Sequence, residues 1–200
     1  MLVEAKRLQT QGEQPLLLLD LGKSIADMES LCTAKSITVL KADEDVEKLR
    51  AETFYQAVSA GSRWLILPGS DHGVLPGSRK KTYEEQVQYM DSNYQGYAVG
   101  GARELVTVAM LKQIQDGTVL FPEDPNTYAR CQEQYQTGDW RGYRICLGDN
   151  YKNDFGSVSG LVVNASHYVG GNYDNVLFCF LACPDKASIF SERLTYQDKS

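Results

Sequence analysis

Three short apolar runs in the first third of the chain constrain its fold more than any other feature. Residues 16–19 are four consecutive leucines between Pro15 and Gly22, residues 36–40 read Ser-Ile-Thr-Val-Leu, and residues 64–67 read Trp-Leu-Ile-Leu. Each has the length of a strand, and the leucine run is bounded by turn formers, as expected of strands covered on both faces. Between them, residues 24–34 place Ile25, Met28, Leu31 and Cys32 at helical spacing, and residues 43–60 do the same with Val46, Leu49, Phe54, Ala57 and Val58. Strand, helix, strand, helix, strand with short joints predicts an α/β fold with a Rossmann-like parallel core sheet and right-handed crossovers. Ligands of such sheets bind beyond the carboxyl ends of the strands, so the loops 20–24 and 68–78 should share one rim.

The later chain reads differently. A helix should begin after Thr82 and continue to residue 90, a second should span 102–115 and stop at Gly117, and a strand should follow at 118–121. Residues 126–136 suggest a short polar helix. Beyond it, 143–147, 158–166 and 176–182 read as strands joined by Asn-, Asp- and Gly-rich turns, which predicts an antiparallel β-meander as a C-terminal extension. The division is therefore a core over 1–125 and an extension with a tail over 126–200, expected to share one domain because 200 residues suit one.

Charge narrows the partners. A net charge of −6 argues against nucleic acid and anionic membrane surfaces, both of which call for basic excess. No apolar run approaches the ~20 residues needed to span a bilayer, and residues 1–14 lack a signal-peptide core, so a cytoplasmic protein is the expectation. The five cysteines have no close metal-type spacing and read as reduced thiols.

Chemistry concentrates between residues 63 and 81. Leu-Pro-Gly-Ser occurs twice, at 67–70 and 75–78, flanking Asp71, His72 and Gly73, and Arg79, Lys80 and Lys81 follow directly. Each Pro-Gly pair suits the two central positions of a type II turn. Thr82 and Glu85 have the spacing of a capping box, which would direct a helix N-terminus back toward the loop. A strand, a stiffened loop and a helix start make an anion cradle. The candidate ligand-binding residues are Gly22, Lys23, Ser24, Gly69, Ser70, Ser78, Arg79, Lys80 and Arg103, with a small nucleotide- or sugar-phosphate-like anion as the partner. His72, beside Asp71, would act as donor or general acid. No cofactor can be named from the sequence, and no metal is assigned: Asp20, Asp71, Glu123 and Asp124 could supply a hard-metal site if the sheet brings them together, and solvated loop carboxylates are the simpler reading. Gly22, Lys23 and Ser24 are not a P-loop, because the position five before Gly22 is Leu17 and lies in the strand. Ser24 as a helix cap and His167 as a turn residue are the simpler roles.

Two other readings come from different classes. A hydrophobic run at 65–73 ends in His72-Gly73, and a later one at 176–183 ends in Ala182-Cys183. In these two pieces the chain resembles the caspase-like and legumain-like cysteine peptidases, and the resemblance implies a hydrolase in which His72 assists a Cys183 thiolate. It departs from them in that Pro184 has no N–H to offer an oxyanion and the strand expected after His72 carries no cysteine. The third reading is an acidic adaptor. Tyr128, Tyr135, Trp140, Tyr143, Tyr151, Phe155, Tyr168 and Tyr173 concentrate in the C-terminal region, where they would dock a protein partner.

Overall fold

Strand direction overturns the parallel arrangement. In the computed structural model β1 (Leu16–Asp20) and β2 (Arg63–Leu67) are neighbours but run antiparallel, with Leu16 opposite Leu67 and Asp20 opposite Arg63. The described residues are 2–35, 37–38, 40–41, 44–59, 61–68, 75–118, 120, 128–148, 160–166, 176–177 and 179–184, the last three ranges from Val162 onward by backbone alone. Between β1 and β2 stand α2 (Ile25–Thr33) and α3 (Glu44–Arg50). Of the strand expected at 36–40, the described residues contribute only a single bridge, from Leu40 to Leu161. Each successive element reverses the chain, so removing one strand from a strand–helix–strand–helix–strand series changes four reversals to three. The outer strands then oppose each other, and a Rossmann-like core cannot form.

Among the described residues two four-stranded sheets result. The first has the order β1, β2, β8 (Cys179–Pro184), β3 (Ala98–Val99), and all its pairings are antiparallel. The second has the order β6 (Val162–Ser166), β5 (Arg144–Gly148), β4 (Tyr128–Gln134), β7 (Val176–Leu177). Here β4, β5 and β6 follow one another antiparallel, whereas β7 meets β4 in parallel at two register positions. The run expected to be one strand at 176–182 thus divides between the sheets. The polar helix expected at 126–136 is instead β4. Its Gln- and Glu-rich composition favours a helix, but Ala129, Cys131 and Tyr135 all bury in the main core, two residues apart or a multiple of it, which is the period of a strand.

The helices follow local signals more closely. Ser24 and Asp27 form a capping box at the start of α2. The helix expected over 43–60 stops at Arg50 and is followed by a 3₁₀ turn at Thr53–Gln56. Glu52 causes the break: it is extended (φ −80°, ψ 143°) and buried. Its carboxylate accepts N–H groups of Gln136 and Thr137, tying this joint to the turn after β4. The long helix α5 (Ala102–Asp116) packs against α2 and β1 and contributes Leu105, Val106, Val108 and Ala109 to the main core.

A second apolar cluster lies on the other face of β2. Leu65 and Leu67 enter the main core, while Ile66 joins Leu8 of α1 (Leu2–Thr10), Leu75, Met90, Tyr94 and Tyr97. Gly160 permits one close backbone crossing. It has φ +84°, and a β-carbon there would lie 2.8 Å from both the Leu40 carbonyl carbon and the Lys41 nitrogen. Among the described residues no helix is long and apolar enough to cross a membrane.

Candidate functional site

The turn at 75–78 forms as its sequence demands. Ser78 N–H donates to Leu75 O at 3.2 Å, and Gly77 takes φ +74°. Leu75 is buried in the second cluster and anchors the turn. Four residues on, Thr82 Oγ1 accepts Glu85 N–H at 3.1 Å and Thr82 N–H donates to Glu85 Oε2 at 2.7 Å, starting α4 (Tyr83–Asn93). This capping box takes the Glu85 N–H, and the carboxylates of Glu84 and Glu85 stand in the first turn, where they repel an anion at the helix start.

One helical turn in, Gln86 is fully buried and joins the turn to the second sheet. Its Nε2 donates to Ser78 O at 2.8 Å, and its Oε1 accepts Arg130 Nη1–H at 2.9 Å. Arg130 Nη1 also donates to Lys81 O at 2.9 Å. Arg130 projects from β4 on the face opposite Ala129 and Cys131, and it is 0% exposed. Among the described residues its Nε and Nη2 have no hydrogen-bond partner and no carboxylate forms an ion pair with it. Burial lowers its affinity for its proton, with repulsion from Arg144 in the same direction. A guanidinium is too basic to escape by deprotonation, so the charge persists in a site that leaves two of its three nitrogens unmet. An open depression of about 280 Å³ lies on α4 beside Lys81 and Tyr89.

The second charged cluster is satisfied internally. Asp20, buried at the end of β1, receives Arg103 Nη1 at 3.0 Å and Nη2 at 2.8 Å, Arg63 Nε at 3.2 Å and Gly22 N–H at 2.8 Å. Arg103 also reaches Lys23 O at 3.3 Å and Glu104 Oε1 at 2.6 Å, and Arg63 pairs with Glu104. Burial alone would raise the Asp20 carboxyl, but Arg103, the Gly22 N–H and Arg63 outweigh it and hold the pKa below its ordinary 3.8. Beside this cluster Glu133 Oε2 accepts Ala102 N–H at 2.9 Å, capping α5 from β4. Burial, with the Glu104 charge adding to it, raises the Glu133 carboxyl above its usual value.

The residues singled out in the sequence therefore separate. Gly22, Lys23, Ser24 and Arg103 do gather, but around Asp20: Gly22 and Lys23 through backbone groups, Ser24 as the cap of α2, and Arg103 as the ion-pair partner. Antiparallel pairing sends loop 21–24 out at the Arg63 end of β2, while the chain toward 75–81 leaves at the Leu67 end. The shared rim required by a parallel sheet does not exist. Ser78 is buried, Arg79 half-buried and Lys80 exposed. Gly69, Ser70, Asp71 and His72 lie outside the described residues. Cys183 stands in β8 in register with Trp64, at the start of β2 rather than at the end that leads toward His72. Among the aromatic residues of the C-terminal region, Tyr135 is buried and packs edge-on to Trp140 at 5.2 Å, and Trp140 and Tyr143 lean on the main core. Tyr128 is half-buried; Tyr151, Phe155, Tyr168 and Tyr173 lie outside the described residues.

Arg130 and Gln86 were not evident from sequence. The signal was present in Tyr128-Ala129-Arg130-Cys131, where a strand reading puts Arg130 on the face opposite two small apolar residues. No protein-family model, no curated protein and no solved structure matches this chain.

Proposed function

We propose that this chain recognises a small anionic ligand and that Arg130, framed by the 75–78 turn, α4 and β4, is where the anion is held. The observation carrying this reading is the buried guanidinium with Nε and Nη2 unpartnered. An uncompensated buried charge destabilises a fold by several kcal/mol, and an anion on those two nitrogens would remove most of that cost. Gln86 and Lys81 O fix the orientation of the guanidinium by holding Nη1. Ser78 shapes the site through its carbonyl, while Arg79 and Lys80 contribute long-range attraction.

The test is thermal. Inorganic phosphate and acetate, each at matched ionic strength, are titrated against the full chain and the melting temperature is followed. At least one should raise Tm in a saturable way. The rise should disappear in Arg130→Met and survive, weakened, in the Arg79→Ala/Lys80→Ala double variant. A flat response to both anions removes the reading.

A further inference from the structure

Arg130 presents an edge of particular shape. The two acceptors at 2.9 Å, Lys81 O and Gln86 Oε1, both lie on Nη1. The nitrogens left over, Nε and Nη2, are neighbours on one edge of the planar group, where their N–H bonds run parallel. This is the side-on fork that matches the two oxygens of a carboxylate, and it also matches two of the oxygens of a phosphate.

Charge and donor count separate those ligands. A phosphate near neutral pH carries up to two charges and offers three oxygens, so it draws on further cations or helix N–H groups. Arg144 is stacked over the Tyr83 ring at 3.7 Å and donates to Gln132 O. Arg103 is committed to Asp20 and Glu104. The start of α4 carries the carboxylates of Glu84 and Glu85, which oppose a second negative charge there. One buried positive charge with two parallel donors balances one carboxylate and leaves a second phosphate charge uncompensated. Arg130 has no surface open to solvent, so a ligand reaches Nε and Nη2 only as the packing around them opens, which a free small molecule demands less than a side chain of a partner protein does.

We infer that the anion held by Arg130 is the carboxylate of a small molecule, gripped edge-on by Nε–H and Nη2–H. This rests on the reading of Arg130 as the anion site and adds the class of ligand to it.

The experiment compares acetate and benzoate with inorganic phosphate on the full chain at pH 7 and constant ionic strength. Calorimetry gives the affinities, and the ¹⁵N resonance of the Arg130 Nε–H, assigned by its loss in Arg130→Met, reports occupancy. At least one carboxylate should move that resonance and bind tenfold or more tightly than phosphate. Arg130→Lys keeps the charge but has no fork, and should lose at least tenfold in carboxylate affinity. Phosphate binding as tightly as the carboxylates, or full carboxylate affinity in Arg130→Lys, overturns the carboxylate assignment while anion recognition at Arg130 stands. An unmoved Arg130 resonance with every anion overturns both. The resonance is read in the natural chain, so the outcome does not depend on how well the Lys variant folds.

Discussion

Asp20 and Arg103 meet as a two-pronged ion pair where β1 ends and α5 begins, with Oδ1 to Nη1 at 3.0 Å, Oδ2 to Nη2 at 2.8 Å and both side chains buried. Removing Arg103 leaves the buried Asp20 carboxylate to Arg63 Nε and the Gly22 N–H, short of its two strongest donors in a site with little water. Arg103→Ala should cost about 3–5 kcal/mol, measured by urea unfolding. Replacing both, as Asp20→Asn with Arg103→Met, should cost less than Arg103→Ala alone. A smaller loss in the single variant than in the double would contradict the account.

The same pair sets an acid limit. The Asp20 carboxyl is held below 3.8 in the fold, so its contribution is complete above the value it has in the unfolded chain and is lost as pH falls through the depressed folded value. Wild-type Tm should therefore drop steeply below about pH 4. The drop should be shallower in Asp20→Asn, which starts from a lower Tm.

Glu133 has the opposite sign. Its pKa is raised, so its favourable contribution is present below its ordinary value of 4.5 and is lost as pH rises through the raised one. Glu133→Gln keeps an oxygen for Ala102 N–H and removes the ionisation. The variant and the natural chain should melt together at pH 4, and the variant should melt higher at pH 8. Equal melting temperatures at both pH values would show that Glu133 ionises without penalty.

Gly160→Ala tests the backbone crossing. The left-handed φ strains any β-carbon, and here that carbon also meets the main chain of Leu40 and Lys41, which cannot rotate aside. A loss of about 2 kcal/mol or more is expected in urea unfolding. Gly117→Ala shares the positive φ but meets nothing within 4 Å, and should cost less.

The thiols offer a chemical check on the cores. Cys32, Cys131 and Cys146 are free and buried, and burial raises the pKa of Cys32 and, strongly, of Cys131. Their thiolate fractions at neutral pH are correspondingly small. A thiol-reactive disulfide should label these three only on unfolding, with peptide mapping as the readout. Labelling of Cys131 in the folded chain would mean that β4 opens readily.

What could be read from the sequence was what neighbouring residues decide among themselves. Thr82 and Glu85 cap α4, Ser24 caps α2, and Pro76-Gly77 makes its turn because each needs only residues within one helical turn of it. The leucines at 16–19 and the run at 64–67 form strands for the same reason. Their relative direction was not legible, because it depends on whether residues 36–40 enter the sheet, and only Leu40 makes a bridge among those described. The parallel core, and with it the shared rim, followed from counting residues 36–40 as a strand between β1 and β2. Arg130 was hidden by a similar effect. Its burial arises where β4 meets α4 and the turn before it, three segments whose encounter no local pattern announces, and Gln132, Glu133 and Gln134 around it suit a helix as well as a strand.

The position of β8 inside the first sheet has a consequence for synthesis. With β8 between β2 and β3, the leucine strand and its neighbour gain their third companion only when residue 184 has cleared the ribosome. Until then the open side of Trp64 to Ile66 stays bare, well over a hundred residues after it was made. A nascent chain of this design spends most of its translation with an unfinished sheet, and should lean on chaperones and fold slowly for its size.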